Sequence, residues 1–272
     1  MPTIDYGHLD AGGNRFPYYL VGDGPTPLVV FSGLNDALQP ADPSRLGAEY
    51  LGRWLFRRYT DDYTVLVLSR PRDLPRGTTT RDMADDYADA VAATVDDPAS
   101  VLGVSMGGLI AQHFAADHPE LVDRLVVGTA GVRLGREERQ VVDRWRRLAE
   151  ADDWTALYAD SADAYVGLRR HLYPPLVRRL GGAMPTPAAP SDVVASCVAC
   201  LAHEGTHPCS RVKAPTLVLG GTEDRYFPPS TLREAASTLP DGRLELLDGA
   251  GHLALAEQGA VWDRALLDFL GG

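Results

Sequence analysis

The sequence predicts an α/β protein built on a mostly parallel sheet, and three observations carry that prediction. Short Val/Leu-rich runs recur along the chain, and helical patterns alternate with them. The runs also lack the polar alternation of a half-exposed sheet, as expected where helices cover both faces. With 272 residues, 45% of them hydrophobic, the chain is long enough to bury one sizeable core.

Taken in order, residues 4–9 and 16–21 read as a hairpin, turned by Ala11-Gly12-Gly13-Asn14. Runs 28–31, 64–69, 100–104, 124–128, 216–220 and 244–247 read as buried strands. Between them, 82–95, 107–117, 230–238 and 261–270 carry apolar residues at helical spacing. Strand–helix alternation of this kind gives a parallel sheet flanked by helices. From 132 to 211 the rhythm stops. Helical stretches at 136–151, 154–168 and 191–202 are separated by a Pro/Gly/Ala-rich piece over 181–190. The expected organisation is a core of residues 1–131 and 212–272 with a helical cap, 132–211, inserted between two strands.

The net charge of −11 argues against nucleic acid as a partner and disfavours docking on anionic lipid. The start of the chain carries no basic stretch followed by an apolar core, and the longest apolar runs are strand-sized. A cytoplasmic protein with no membrane partner is expected. Cys197, Cys200, His203, His207 and Cys209 include the residue types of a zinc site. A single CxxC on a helical apolar pattern reads instead as small side chains packed on a helix face, so neither metal nor cofactor is expected.

The chemistry is concentrated at Gly103-Val104-Ser105-Met106-Gly107-Gly108, which joins the 100–104 strand to the next helix. G-x-S-x-G in that position makes a turn so sharp that the serine backbone is strained. Gly103 and Gly107 are the positions where larger side chains would clash. The turn lifts the Ser105 hydroxyl to a helix N-terminus, where developing negative charge is favoured.

A serine hydroxyl needs a base, and the base needs an orienting group. Asp224 lies in the loop after strand 216–220, and His252 in the loop after strand 244–247. Active sites of open α/β sheets lie at those carboxyl ends, so the three residues can converge. Glu223 is the alternative acid. His113 and His118 read as structural, and Asp123 as a surface or capping residue.

Together, Ser105-Met106-Gly107-Gly108, the Gly-Thr-Glu-Asp224 turn and Gly249-Ala250-Gly251-His252 resemble the three catalytic signatures of the α/β-hydrolase superfamily, in its order. His118-Pro119-Glu120-Leu121-Val122 and Ala214-Pro215-Thr216-Leu217-Val218 are similar to its connecting segments. The likeness covers about residues 16–131 and 212–270 and leaves out the cap. It implies an α/β-hydrolase fold and a Ser105–His252–Asp224 triad with a covalent acyl intermediate.

An oxyanion needs two donors. The elbow supplies the N–H of Met106. By the resemblance, the second is the N–H of Leu34 in Ser32-Gly33-Leu34-Asn35-Asp36, where Ser32 stands in place of the family's usual histidine. Asn35 and Asp36 read as a plain turn or as substrate contacts. Residues 69–77, with Arg70, Arg72 and Arg76, read as a solvated loop, with contact to an acidic substrate as the lesser alternative.

The reading is therefore a serine hydrolase acting on a carboxylic ester of a small to medium apolar substrate. Carbon–carbon hydrolysis, lactone opening and acyl transfer use the same apparatus and stay open, as does a non-catalytic binder. Trp145, Trp154, Tyr158, Tyr165 and Tyr173 are the cap aromatics from which a pocket lining is drawn.

Overall fold

The computed structural model describes residues 3–181 and 186–272. Its centre is one eight-stranded sheet: β1 (Ile4–Ala11), β2 (Asn14–Val21), β3 (Thr26–Phe31), β4 (Tyr63–Leu68), β5 (Ala99–Val104), β6 (Val122–Gly128), β7 (Thr216–Gly221) and β8 (Gly242–Leu247). The spatial order is β1-β2-β4-β3-β5-β6-β7-β8. Only β2 runs against the others; it pairs antiparallel with β1 and β4, and every remaining pairing is parallel. Gly12 and Gly13 both have positive φ, the conformation of a two-residue hairpin turn that glycine adopts without strain.

The strands read as continuous apolar runs because both faces are buried. In β3, Val29 and Phe31 join one core cluster while Leu28 and Val30 join the other. The first face is covered by α2 (Thr80–Ala92), α3 (Met106–Asp117) and α9 (Pro229–Thr238). The second is covered by α11 (Gly259–Gly271), with Trp262 fully buried, and by Phe56 and Tyr59 ahead of β4. α2 opens on a capping box between Thr79 and Asp82. Strand order reverses around β3, whose neighbours are β4 and β5. That opens a crevice at their carboxyl ends.

Between β6 and β7 lie α4 (Arg136–Glu150), α5 (Trp154–Asp160), α6 (Leu168–Leu180), α7 (Pro190–Ala202) and α8 (Thr206–Cys209). The helix expected over 154–168 is split. α5 ends at Asp160, a 3-10 turn follows over Ser161–Ala164, and Gly167 at φ +63° interrupts the chain before α6. α6 itself and α1 (Arg45–Tyr50), which is capped by the Ser44 hydroxyl, were not anticipated. Pro174 and Pro175 mask α6, since proline inside a helix removes N–H donors and signals a break. Of the Pro/Gly/Ala-rich piece at 181–190, residues 182–185 lie outside those described. Among the described residues, no helix is long and apolar enough to cross a membrane.

The two ends of this segment are tied together by buried polar groups. Gly205 N–H donates to the Val132 carbonyl at 2.6 Å, and Gln112 Nε2 donates to the Gly131 carbonyl at 2.9 Å. His203 lies between Thr80 Oγ1 and Gln112 Oε1, at 2.9 and 3.3 Å, and burial lowers its pKa to about 3, helped by nearby His113. The unfolded chain therefore takes up a proton below about pH 6.5 that the folded protein refuses until about pH 3. Stability from this group is lost as pH falls through that window, by about 2 kcal/mol at pH 5. Urea unfolding at pH 7 and pH 5 checks this, and a His203→Gln variant should lose that part of the slope.

Candidate active site

The strand-to-helix turn at Ser105 has the geometry its sequence demands. Ser105 has φ +56° and ψ −121°, a conformation that a residue with a side chain rarely adopts. The neighbours leave no room for anything larger than glycine. A Cβ on Gly103 would lie 2.7 Å from the Ala111 Cβ, and one on Gly107 would lie 2.6 Å from the carbonyl carbon of Phe31. Gly107 thus lets α3 press against the end of β3. Gly107→Ala should cost about 1–3 kcal/mol of stability; an unchanged urea midpoint would show that this turn relaxes freely.

The structure brings the three predicted side chains into one hydrogen-bonded chain. Ser105 Oγ is 2.9 Å from His252 Nε2, and His252 Nδ1 is 3.0 Å from Asp224 Oδ2. Asp224 is buried, and its Oδ1 accepts the N–H groups of Tyr226 and Phe227 at 2.8 and 3.0 Å. Those bonds hold the carboxylate in one orientation. An acceptor at Nδ1 assigns the ring proton there and leaves Nε2 free to accept from the serine hydroxyl. The imidazole is packed edge-on by Tyr226 and face-on by Phe227. Glu223, the alternative acid, is exposed and lines a separate surface depression with Arg170 and Arg225.

Leu34 and Met106 each begin a helical turn, over Leu34–Leu38 and Met106–Asp117. First-turn N–H groups have no intrahelical acceptor, so both are available to a ligand. The two residues line the same cavity as Ser105, and a Cβ on Gly33 would lie 3.3 Å from the Ser105 Cβ.

The arginine-rich 69–77 segment departs from the solvated loop expected of it. Arg70 is buried, and its guanidinium donates to the carbonyls of Ser32 and Gly33 at 3.1 and 3.0 Å. Asp36 is buried beside it, accepting from the Arg70 N–H at 3.0 Å and from Arg72 Nη1 at 3.1 Å. Burial pushes the Asp36 carboxyl up, but the Arg70 and Arg72 guanidiniums outweigh it and hold the group below the usual carboxylate range. Asp192 of α7 accepts from the N–H groups of Asp73 and Leu74 at 3.0 and 2.8 Å, tying this loop to the inserted helices. Asp36 is therefore a clamp for the 32–36 loop, neither a plain turn residue nor a group held free.

Ser105 and His252 open into a cavity of about 560 Å³. Its apolar wall comes from both halves of the chain, including Leu38, Leu55, Leu134, Val142 and Trp145. Trp145 is oriented by its indole N–H, which donates to Asp160 at 2.6 Å, and it meets the Tyr226 ring edge-on. Of the five aromatics expected in the insertion, Trp145 and Tyr165 line this cavity, while Trp154 is buried in the core. Glu257 is a further residue at the site. One carboxylate oxygen accepts from Val166 N–H and the other from Gly251 N–H, each at 2.9 Å. It bridges the inserted segment to the residue beside His252. An exposed-looking Glu in a helix carried no local signal of this role.

The remaining candidates lie elsewhere. His118 pairs with Asp85, and Asp123 is exposed beside Arg124. His113 meets His203 edge-on. Cys197, Cys200 and Cys209 are buried as free thiols, with burial pushing each thiol up. Among the described residues, no group of three or more His, Cys, Asp and Glu is placed to hold a metal ion.

A parallel sheet with a serine on a strained turn, bonded to a histidine and through it to a buried carboxylate, defines an α/β-hydrolase-type protein. The chain belongs to the alpha/beta hydrolase fold family, whose model matches residues 42–258. It is 28% identical over 192 residues to the pimeloyl-acyl-carrier-protein methyl ester esterase of Chromobacterium violaceum, covering 69% of this chain and 76% of that one. In structure it is similar to a hydrolase from Pseudomonas aeruginosa, with TM-score 0.80, 23% identity and coverage of 98% and 99% of the two chains. It is also similar to the enol-lactonase of Burkholderia xenovorans, with TM-score 0.76, 20% identity and coverage of 97% and 100%.

Proposed function

We propose that this protein is a serine hydrolase that cleaves a carboxylic ester of a small to medium apolar substrate through an acyl-enzyme at Ser105. The observation that carries the reading is the Ser105–His252–Asp224 chain, with contacts of 2.9 and 3.0 Å, at the wall of an apolar cavity. Ser105 Oγ attacks the acyl carbon while His252 Nε2 takes its proton. The N–H groups of Leu34 and Met106 hold the oxyanion as it forms. His252 then returns the proton to the departing alcohol, and a water activated by the same nitrogen releases the acid. Asp224 orients the imidazole and stabilises its protonated form. Residues 132–211 act as a cap over a catalytic core of 1–131 and 212–272. The name of the Chromobacterium violaceum relative supports an ester as the substrate class.

Labelling with a fluorophosphonate, followed by a panel of aryl esters of increasing acyl length, tests the proposal. Stoichiometric labelling at Ser105 and turnover of short to medium acyl chains are expected. Folded protein that fails to label would sink the serine mechanism. Labelling without ester turnover would move lactone opening or carbon–carbon cleavage ahead of ester hydrolysis.

A further inference from the structure

Two exposed apolar faces flank the mouth of the cavity. On one side, Leu46, Tyr50 and Trp54 recur at helical spacing through α1 and the turn after it, with Leu46 and Trp54 exposed by 81% and 80%. On the other, α6 presents Leu168, Leu172, Leu176 and Leu180, each between 50% and 71% exposed. At about 100° per residue these leucines fall in one arc of α6, and Arg169 and Arg179 lie inside it. Val177, on the far side of α6, is buried. Both faces border the cavity: Tyr50 and Tyr165 line it, and the Tyr165 ring packs 5.1 Å from that of Tyr173 in α6.

The charge of the α6 segment departs from that of the rest of the chain, with Glu223 beside Leu168 and Arg170 and with Glu49 paired to Arg45 on the other face. Residues 164–191 carry Arg169, Arg170, Arg178 and Arg179 and no Asp or Glu, in a protein of net charge −11. A helix that presents leucines and arginines together on one exposed face suits a lipid–water interface, its apolar side chains in the acyl boundary and its cations among anionic headgroups. The arginines among the leucines match an anionic headgroup layer, and that charge complementarity favours lipid as the occupant.

We propose that α6 and the Leu46–Tyr50–Trp54 face dock this protein on an anionic phospholipid surface, with the mouth of the cavity turned toward the bilayer. The expectation of no membrane partner rested on the overall charge and on the strand-sized apolar runs, neither of which describes this face. That docking delivers a lipid-borne ester to Ser105 rests on the serine-hydrolase reading; the docking itself does not.

Trp54 makes the test direct, because the other tryptophans, Trp145, Trp154 and Trp262, are buried. Tryptophan emission and co-sedimentation are measured with vesicles of phosphatidylcholine, with and without about one-quarter phosphatidylglycerol. A blue shift and co-sedimentation with the anionic vesicles are expected, both weakened by salt, and Trp54→Phe should lose the shift while keeping the binding. Leu172→Ser/Leu176→Ser and Arg169→Gln/Arg179→Gln, all at exposed positions, should each weaken binding about tenfold or more. The proposal fails if anionic vesicles give no shift, or if binding ignores both pairs of substitutions. It fails equally if Trp54 is covered by self-association without lipid, or if polyglutamate shifts its emission where vesicles do not. Fluorophosphonate labelling is read separately, so loss of docking and loss of the hydrolase reading are distinguishable.

Discussion

Ser105→Ala is expected to lower kcat on an aryl ester by on the order of 10⁶, with KM little changed. In the proposed mechanism the Ser105 hydroxyl forms the covalent intermediate, and its removal leaves the cavity intact. Asp224→Asn should lower kcat by on the order of 10⁴. An amide in place of the carboxylate no longer holds the proton on His252 Nδ1, so Nε2 is left in the wrong state to accept from Ser105. Because the residues act as one unit, the Ser105→Ala/His252→Ala double variant should be scarcely slower than Ser105→Ala alone. Steady-state kinetics on folded variants decide the matter. A Ser105→Ala enzyme that kept about a tenth of wild-type kcat would remove the serine from the mechanism.

Arg70→Met is expected to produce the largest loss of stability, about 3–5 kcal/mol, because it leaves a buried charge without one partner. The Ser32 and Gly33 carbonyls lose the guanidinium, leaving Gly33 with the Asp36 N–H, and Asp36 keeps Arg72, the Ser69 side chain and the Arg70 backbone N–H. The same loop carries the Leu34 N–H, so kcat should fall while KM holds. The ceiling is the 10²–10³ that one oxyanion donor is worth. Arg70→Lys should not rescue either property, since a point charge cannot fork to two carbonyls. Urea unfolding and kcat, measured side by side, separate the two effects. An Arg70→Met protein with the wild-type midpoint would show that the clamp carries no weight.

The strands were legible because burial on both faces writes itself into contiguous residues. Each of the six runs expected from 28–31 to 244–247 lies within an observed strand to a residue or so, as with 64–69 against Tyr63–Leu68. The elbow was legible for a related reason: the sterics of a strained turn act on neighbours, so glycine must stand at Gly103 and Gly107. α1 and α6 were not, because Gly47 in one and Pro174 and Pro175 in the other read as breaks in a helical pattern. Nor could a local pattern show that Arg70 is buried rather than solvated.

What the chain specifies residue by residue is therefore the layered α/β sheet, the turn that presents Ser105, and the loops that end at Asp224 and His252. Folding in three dimensions settled which groups meet. His252 reaches Ser105 across 147 positions of sequence, Arg70 closes on carbonyls 37 and 38 positions away, and Glu257 joins Val166 to Gly251. The physical reason is one of range. Periodicity and backbone strain are set by neighbours along the chain, whereas a buried charge takes its meaning from the partners that packing brings to it.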